Sequence, residues 1–174
     1  HQEARRQRQM CIRDSYRAEA TDAIVNLSLA DITSEAGATV STVLQADNLK
    51  DWAGGQFAIV YDPAVIENIE SVNGVGLAEN FLVEFNDNGA GLVQIGMISN
   101  TAVAGSGDIL IIEMTLKAGL ADGDSSVINI GAAELNDLVG RDFATSALQV
   151  ELVTTDGIIN IGEFKIYLPM LIRP

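Results

Sequence analysis

Residues 54 to 67 contain a predicted strand, the turn that ends it and the start of the next apolar segment. They read Gly54-Gly55-Gln56-Phe57-Ala58-Ile59-Val60-Tyr61-Asp62-Pro63-Ala64-Val65-Ile66-Glu67. Phe57, Ile59 and Tyr61 recur at period two, so an extended segment places them on one face. Asp62-Pro63 then ends the strand with a turn, because the proline ring presets φ. A short half-buried strand followed by a turn of this kind is typical of a β-sandwich.

The same alternation recurs along the chain. It predicts further strands at 25–29, 40–44, 93–97, 110–116, 148–152 and 158–161. Residues that tolerate positive φ form the predicted turns between them, at Asp87-Asn88-Gly89, Gly105-Ser106-Gly107-Asp108, Asp122-Gly123-Asp124 and Asp156-Gly157. No amphipathic helix of three turns is visible. About nine short strands with intervening turns predict an all-β domain of two packed antiparallel sheets.

The order of several segments resembles the cohesin family, the jelly-roll modules of cellulosome scaffoldins and related bacterial surface proteins. The resemblance covers about residues 23 to 162 and places the domain at 21–162. It is carried by the strand from Ile24, by Gly37-Ala38-Thr39-Val40, by Asn48-Leu49, by Gly55 to Ile66, by Gly107 to Met114 and by Asp156 to Ile161.

This resemblance implies a jelly-roll sandwich that performs no chemistry and binds a dockerin module across one sheet face. When the contact positions of the family are transferred onto this sequence, the first contact strand offers Gly54, Gln56 and Ala58. Well-studied members of the family carry Asn and Asp at the first two of these positions. Two later strands would offer Phe85, Asn86, Met97, Ser99 and Asn100. Against this interpretation, Phe85 and Met97 are residue types common in cores, and the two asparagines are common in turns.

The charge of the chain excludes some partners. The sequence has 24 acidic and 10 basic residues, and five of the basic ones are Arg5, Arg6, Arg8, Arg13 and Arg17. From residue 18 onward 22 acidic residues face 5 basic ones, a net charge near -17. Such a surface repels nucleic acid and anionic membranes. Acidic turns could attract calcium, but none has the spacing of a twelve-residue calcium loop, so we expect calcium mainly on the partner.

Catalysis has little support in the sequence. The single histidine, His1, and the single cysteine, Cys11, lie outside the predicted domain, which excludes Ser-His, Cys-His and His-Cys zinc sites from it. Paired carboxylates remain conceivable, but no signal selects a pair. We therefore expect no enzyme activity and no resident cofactor or metal.

The two ends are predicted to lie outside the domain. Residues 1–20 include Arg6 to Ser15, which resembles translated sequencing-adapter DNA; we expect this segment to be artefactual and the true N-terminus, with a signal peptide or further modules, to be missing. Residues 163–174 form an apolar tail in which Tyr167, Leu168 and Pro169 suggest sorting or assembly. The longest apolar runs are far too short to span a membrane. Separately, the resemblance to cohesins implies a secreted or cell-surface location.

Two other functions stay open. A carbohydrate-binding module shares the jelly-roll fold and stacks sugars on exposed aromatic rings, for which only Trp52 and Tyr167 are expected to be free. Alternatively, the tail could be an edge strand of its own domain, or it could insert into a neighbouring copy and make the protein a filament or surface-layer subunit.

Overall fold

The computed structural model describes residues 24–140, 142 and 151–162. Within these residues the chain forms nine strands and one short 3₁₀ turn, Gly76–Ala78. The strands are β1 Ile24–Leu29, β2 Ile32–Ser34, β3 Thr39–Val60, β4 Ile66–Gly74, β5 Leu82–Asp87, β6 Leu92–Leu116, β7 Ser125–Asn136, β8 Glu151–Thr155 and β9 Gly157–Ile161. The predicted all-β domain of about nine strands is confirmed.

Two long strands, β3 and β6, run through both layers of the sandwich. The first half of β3 (39–46) pairs with the second half of β6, and the second half of β3 (54–60) pairs with the first half of β6. Register shifts interrupt this pairing between Leu44 and Gly54, where both strands cross from one layer to the other. The nine strands therefore form one curled sheet rather than two separate ones.

Each layer is defined by the half of β3 that it contains. The back layer holds the first half of β3 together with β4, the second half of β6, β1 and β8. The front layer holds the second half of β3 together with β5, the first half of β6, β7, β9 and β2. The jelly-roll sandwich is confirmed, and two of its strand pairs, β1 with β8 and β2 with β9, are parallel.

One predicted turn is wrong. Gly105-Ser106-Gly107-Asp108 lies inside β6, where Gly105 is paired with Leu49 and Gly107 with Ala46. The Ser106 hydroxyl accepts from the Asn48 backbone N–H at 3.0 Å and donates to Asp47 Oδ1. These side-chain bonds tie β6 to β3 where the regular ladder is interrupted, so glycines that suggest a turn form an irregular stretch of strand instead.

The inward faces of both layers share one hydrophobic core. Buried side chains alternate along β1, β9 and both ends of β6. On β1 they are Val25, Leu27 and Leu29, and the burial of each contributes roughly 1.5–3 kcal/mol. Among the described residues, Thr42 is the buried polar residue of this core, and its hydroxyl donates to Ala30 O at 2.8 Å. The hydroxyl is thereby satisfied, which removes most of the cost of burying it.

The predicted stop after Tyr61 is confirmed. Asp62 Oδ1 accepts from the Ala64 N–H at 2.8 Å, and Asp62 O accepts from the N–H groups of Val65 and Ile66, each at 3.0 Å. This turn ends β3 and delivers the chain to β4 at the edge of the back layer.

Several predictions fall on residues outside the described ranges. They concern residues 1–20, the tail at 163–174 with Tyr167, Leu168 and Pro169, and the first part of the strand predicted at 148–152. Only its last two residues are described, and they open β8. Among the described residues, no helix is long and apolar enough to cross a membrane.

The expectation that Trp52 is free to stack on a sugar is wrong. Trp52 is 0% exposed, and its ring stacks on Phe81 with centroids 4.5 Å apart. The neighbouring glycines suggest a loop, but β3 continues through this position and turns the indole into the core. Since Tyr167 lies outside the described residues, no described aromatic side chain supports a sugar platform at this position.

We expect Trp52→Ala to lower the free energy of unfolding by about 3–5 kcal/mol, because it removes the largest buried side chain and leaves a cavity beside Phe81. Urea unfolding followed by far-UV circular dichroism measures this. Trp52→Phe serves as the control and should lose less, since it keeps a ring on Phe81. A loss under 1 kcal/mol for the alanine variant would contradict the burial of Trp52.

A second prediction concerns Tyr61, which is 4% exposed and donates its hydroxyl to Asp87 Oδ1 at 2.8 Å. Burial, the hydrogen bond to Asp87 and the charge of Asp87 raise the pKa of Tyr61 to about 12 from its usual 10.0. The pKa of Tyr61 is higher in the folded protein than in the unfolded chain. The contribution of its hydroxyl to the free energy of unfolding is therefore intact below pH 10 and is lost as pH rises through 12.

Tyr61→Phe should therefore cost about 1.5 kcal/mol of unfolding free energy at neutral pH. The difference between the two proteins should shrink above pH 10, which urea unfolding at a series of pH values measures. A difference that stays constant up to pH 12 would show that the Tyr61 hydroxyl titrates normally.

Candidate functional site

The outer face of the front layer presents three rows of side chains across β5, β6, β3 and β7. The strand register defines them. The first row is Leu82, Ile98, Gly54 and Asn136; the central row is Glu84, Gly96, Gln56 and Glu134; the third row is Asn86, Gln94, Ala58 and Ala132.

Two shallow grooves follow these rows. One, of about 750 Å³, runs over the central and third rows from Asn86 to Glu134. The other, of about 450 Å³, runs over the first row and ends at Ser99 and Leu138. The face is thus an open surface suited to an extended contact rather than an enclosed pocket for a small molecule.

Four of the predicted site residues lie together on this face. Gln56, Ala58 and Asn86 belong to the central and third rows, and Gly54 belongs to the first. Gln56 and Asn86 are exposed, whereas Ala58 is half-buried and Gly54 is buried. The position-by-position transfer onto β3 therefore selects the outward-facing residues of that strand.

Of the residues predicted on β5 and β6, Phe85 and Met97 lie on the inward-facing side of their strands. Met97 is 5% exposed and faces the core, while its neighbour Ile98 is 63% exposed on the outer face. Phe85 pairs with the inward-facing Ile95, so it lies on the inner side of β5, 38% exposed because β5 is an edge strand. In a strand, a shift of one residue moves a side chain to the opposite face.

Ser99 and Asn100 lie beyond the first row, further along β6. The Ser99 hydroxyl donates to Thr101 O at 2.9 Å and accepts from the Thr101 N–H at 3.0 Å. Asn100 Oδ1 accepts from the Thr101 hydroxyl at 3.1 Å. Ser99 borders the smaller groove, while Asn100 is exposed outside both grooves.

The period-two pattern does not reveal β7, the strand that supplies Glu134. The reason is a bulge: Ala58 pairs with Ala132 and Ile59 with Ile130, so Gly131 is an extra residue on β7. Ile128 and Ile130 precede the bulge and Leu135 follows it. All three are buried, but the extra residue shifts the period-two pattern, so Leu135 is out of step with the two isoleucines. The break hides the period-two pattern, although the apolar residues on either side of Gly131 are a signal that could have found the strand.

Two glycines of β3 are required by close backbone contacts. A Cβ atom on Gly54 would lie 2.6 Å from Met97 O, and one on Gly55 would lie 2.0 Å from Glu134 O. An asparagine, the residue that the family resemblance expects at position 54, would therefore require the backbone of β6 to move. The absence of that side chain leaves the first row flat at its centre.

One end of the face is apolar. Leu82, Ile98 and Leu138 border the smaller groove and are 63%, 63% and 55% exposed, and we call them the apolar end. Leu138 and Val139 form the tip of a hairpin in which the Gly140 N–H donates to Asp137 O at 3.0 Å. Large aliphatic side chains exposed together mark a surface that gains free energy when a partner covers it.

The central row is acidic at both edges. Glu84 and Glu134 are exposed there, and Asn136 Nδ2 donates to Glu134 Oε1 at 3.3 Å. Across the three rows, which are fully described, there is no Lys or Arg. Within the described part of the chain, no three His, Cys, Asp or Glu side chains are grouped so that they could hold a metal ion.

Comparison with known proteins gives one family and one fold. A family model described as the cohesin domain matches residues 25–161. No curated protein sequence matches the chain significantly. A non-cellulosomal cohesin from the hyperthermophilic archaeon Archaeoglobus fulgidus has a similar structure, with a TM-score of 0.67, 15% identity, and coverage of 81% of this chain and 93% of that one.

Two further similar structures are cohesins solved with dockerins. The sixth cohesin of scaffoldin B from Acetivibrio cellulolyticus, in complex with a Cel5 dockerin, gives a TM-score of 0.65 at 17% identity and covers 79% of this chain and 98% of that one. The OlpC cohesin of Clostridium thermocellum, in complex with Doc435, gives 0.66 at 16% identity and covers 83% and 97%. Since the family model spans most of the chain and these structures share its fold, the protein belongs to the cohesin family.

Proposed function

We propose that this protein is a non-catalytic docking module of a secreted or cell-surface protein, and that it binds a calcium-loaded dockerin on the outer face of the front layer. The context would be the assembly of polysaccharide-degrading enzymes on a scaffold. Membership of the cohesin family and the similar structures solved as dockerin complexes support a dockerin partner.

The observation that supports this face is a contrast between the two layers, to which the bonded pair of Glu134 and Asn136 on the front layer is an exception. On the back layer, outward polar side chains bond to each other: Gln45 Nε2 donates to Asp108 Oδ1 at 2.7 Å, and the Thr115 hydroxyl donates to Glu70 Oε1 at 2.7 Å. On the front layer, the side chains of Gln56, Glu84, Asn86 and Gln94 have no hydrogen-bond partner among the described residues.

Unpaired amides and carboxylates beside exposed aliphatic side chains form the kind of mixed surface that a protein partner covers. The three rows span roughly 14 Å across the strands and roughly 14 Å along them, from the spacings of strands and residues in a sheet. A helix about 10 Å in diameter can lie on such a face. The partner's helices, rather than a small molecule, are therefore the ligand that fits.

We expect Gln56→Arg to weaken dockerin binding at least tenfold, about 1.4 kcal/mol, because the longer cationic side chain would occupy the groove at the centre of the face. The matched control is Gln45→Arg, the same substitution on the same strand in the back layer, and it should bind like wild type. Titration calorimetry against a panel that includes Doc435 and the Cel5 dockerin measures both, with calcium and then with chelator.

Saturable binding that chelator abolishes and that only Gln56→Arg weakens would establish both the partner and the face. Equal weakening by the two variants would assign the contact elsewhere on the domain. If no dockerin in a broad panel binds wild type, dockerin docking is not the function.

A further inference from the structure

A second apolar patch lies beyond the three rows, where the front layer continues onto β9. Val127 on β7 pairs with Ile158 on β9, and their side chains are 46% and 41% exposed. Val60 on β3 is 39% exposed and pairs with Asn129, two residues along β7 from Val127. We call Val60, Val127 and Ile158 the β9 patch. Opposed side chains of an antiparallel pair lie about 5 Å apart, so the patch is continuous.

The β9 patch is separate from the proposed docking face. The two grooves on that face do not reach its three residues. The inward neighbours of the patch, Ile128 and Ile159, are buried in the core, so the patch faces outward. Aliphatic side chains exposed together form a surface that gains free energy when it is covered.

The chain itself contains a segment that suits this patch. Residues 163–174 lie outside the described ranges, and seven of the twelve are apolar. Phe164, Ile166 and Leu168 alternate with Lys165 and Tyr167, which gives an extended segment one apolar face.

The segment begins close to the patch. β9 ends at Ile161, and the Gly162 N–H donates to Ser34 O at 3.0 Å, which fixes the point where the segment leaves the sheet. Ile158 is four residues back along β9, about 13 Å away. Twelve extended residues span up to about 40 Å, so the segment can turn and reach the whole patch. Because the tether is short, the patch of the same domain is favoured over that of a second copy.

The segment cannot pair alongside β9, because both sides of that strand are occupied. β7 pairs with one side and β2 with the other. At the end of the strand, the Ile161 N–H donates to Asp124 O and the Gly123 N–H donates to Ile161 O, each at 2.8 Å. Pro169 would also interrupt a ladder, since it has no N–H. Side-chain contact with the outer face of the sheet needs no ladder, and it is the contact that the segment can make.

The charges around the exit also favour a nearby position for the segment. Glu35, Asp122 and Asp124 are exposed beside the end of β9. The segment carries Lys165 and Arg173 against one acidic residue, a side-chain charge of +1, in a chain whose net charge is -14. Opposite charges at this distance attract the segment to the surface that it leaves.

We propose that residues 163–174 fold back over the outer side of β9 and β7 and cover the β9 patch of the same domain with Phe164, Ile166 and Leu168. The segment is then a built-in cover of the sandwich rather than a donor strand for a neighbouring copy. This inference goes beyond the proposed function and does not depend on it.

The first test is a double-mutant cycle in the full chain, read as melting temperature. The patch variant combines Val127→Thr with Ile158→Thr, which keeps β-branched side chains but makes the patch polar. The segment variant combines Phe164→Ser, Ile166→Ser and Leu168→Ser. We expect each variant to melt about 4 °C lower than wild type, and the combination of both to melt no lower than either alone, because each removes the same contact.

Ile98→Thr is the matched control for the patch variant. It makes the same kind of change at an exposed position of the first row, far from the exit of the segment. Its effect on the melting temperature should be the same with the wild-type segment and with the segment variant.

The second test locates the segment by disulfide trapping in a Cys11→Ser background, which removes the single natural cysteine. Ile158→Cys is combined in turn with Phe164→Cys, Ile166→Cys and Leu168→Cys, and the proteins are oxidised with oxidised glutathione. At least one pair should form a disulfide within a monomer at least tenfold faster than the corresponding pair with Ser41→Cys, an exposed position of the back layer. Non-reducing gels and intact mass measure this.

The remaining outcomes overturn the inference. Losses of melting temperature that add in the combined variant would show that the patch and the segment do not touch. Trapping no faster than in the Ser41→Cys controls would place the segment elsewhere. Disulfide-linked dimers in place of trapped monomers would assign the β9 patch to the segment of a second copy.

Discussion

The pairing of β3 with β6 is the constraint on which the rest of the structure depends. These strands have 22 and 25 residues, and each runs through both layers. Their ladder is regular at both ends and irregular between Leu44 and Gly54, where the sheet curls. Every other strand pairs directly with one of them or is joined to them through β1, β7 or β9.

The curl requires an unfavourable backbone conformation, which local hydrogen bonds stabilise. Asn48 and Asp51 adopt positive φ, which is unfavourable for residues with side chains. Asn48 is held there by its backbone N–H bond to Ser106 and by Nδ2, which donates to Ile24 O at 2.9 Å. The crossing therefore ties β1, β3 and β6 together at one place. The buried Trp52 and Leu49 then fill the core beneath it.

The same pairing also shapes the proposed docking face. Gly54 and Gly55 allow β6 and β7 to approach β3 closely, which keeps the outer surface flat at that point. The bulge at Gly131 adjusts β7 so that Glu134 joins the central row. The result is a surface with an apolar end, an acidic central row and unpaired amides, whereas the back layer has outward polar groups that bond to each other. This asymmetry is the reason for proposing the front layer, rather than the back layer, as the docking face.

Local pattern determined much of the fold. The alternation of Phe57, Ile59 and Tyr61 and the stop at Asp62-Pro63 could be predicted because both depend on neighbours in the chain. The acidic charge, the absence of His and Cys chemistry between residues 12 and 174, and the resemblance to cohesins also came from the sequence alone. The tertiary structure decided what depends on register: that Ile98 rather than Met97 faces outward beside Gly54, that Trp52 lies in the core, and that the glycines near Ser106 continue a strand. Register is set by pairing with strands distant in the chain, and a shift of one residue reverses the face of every side chain, so only the assembled sheet fixes the site.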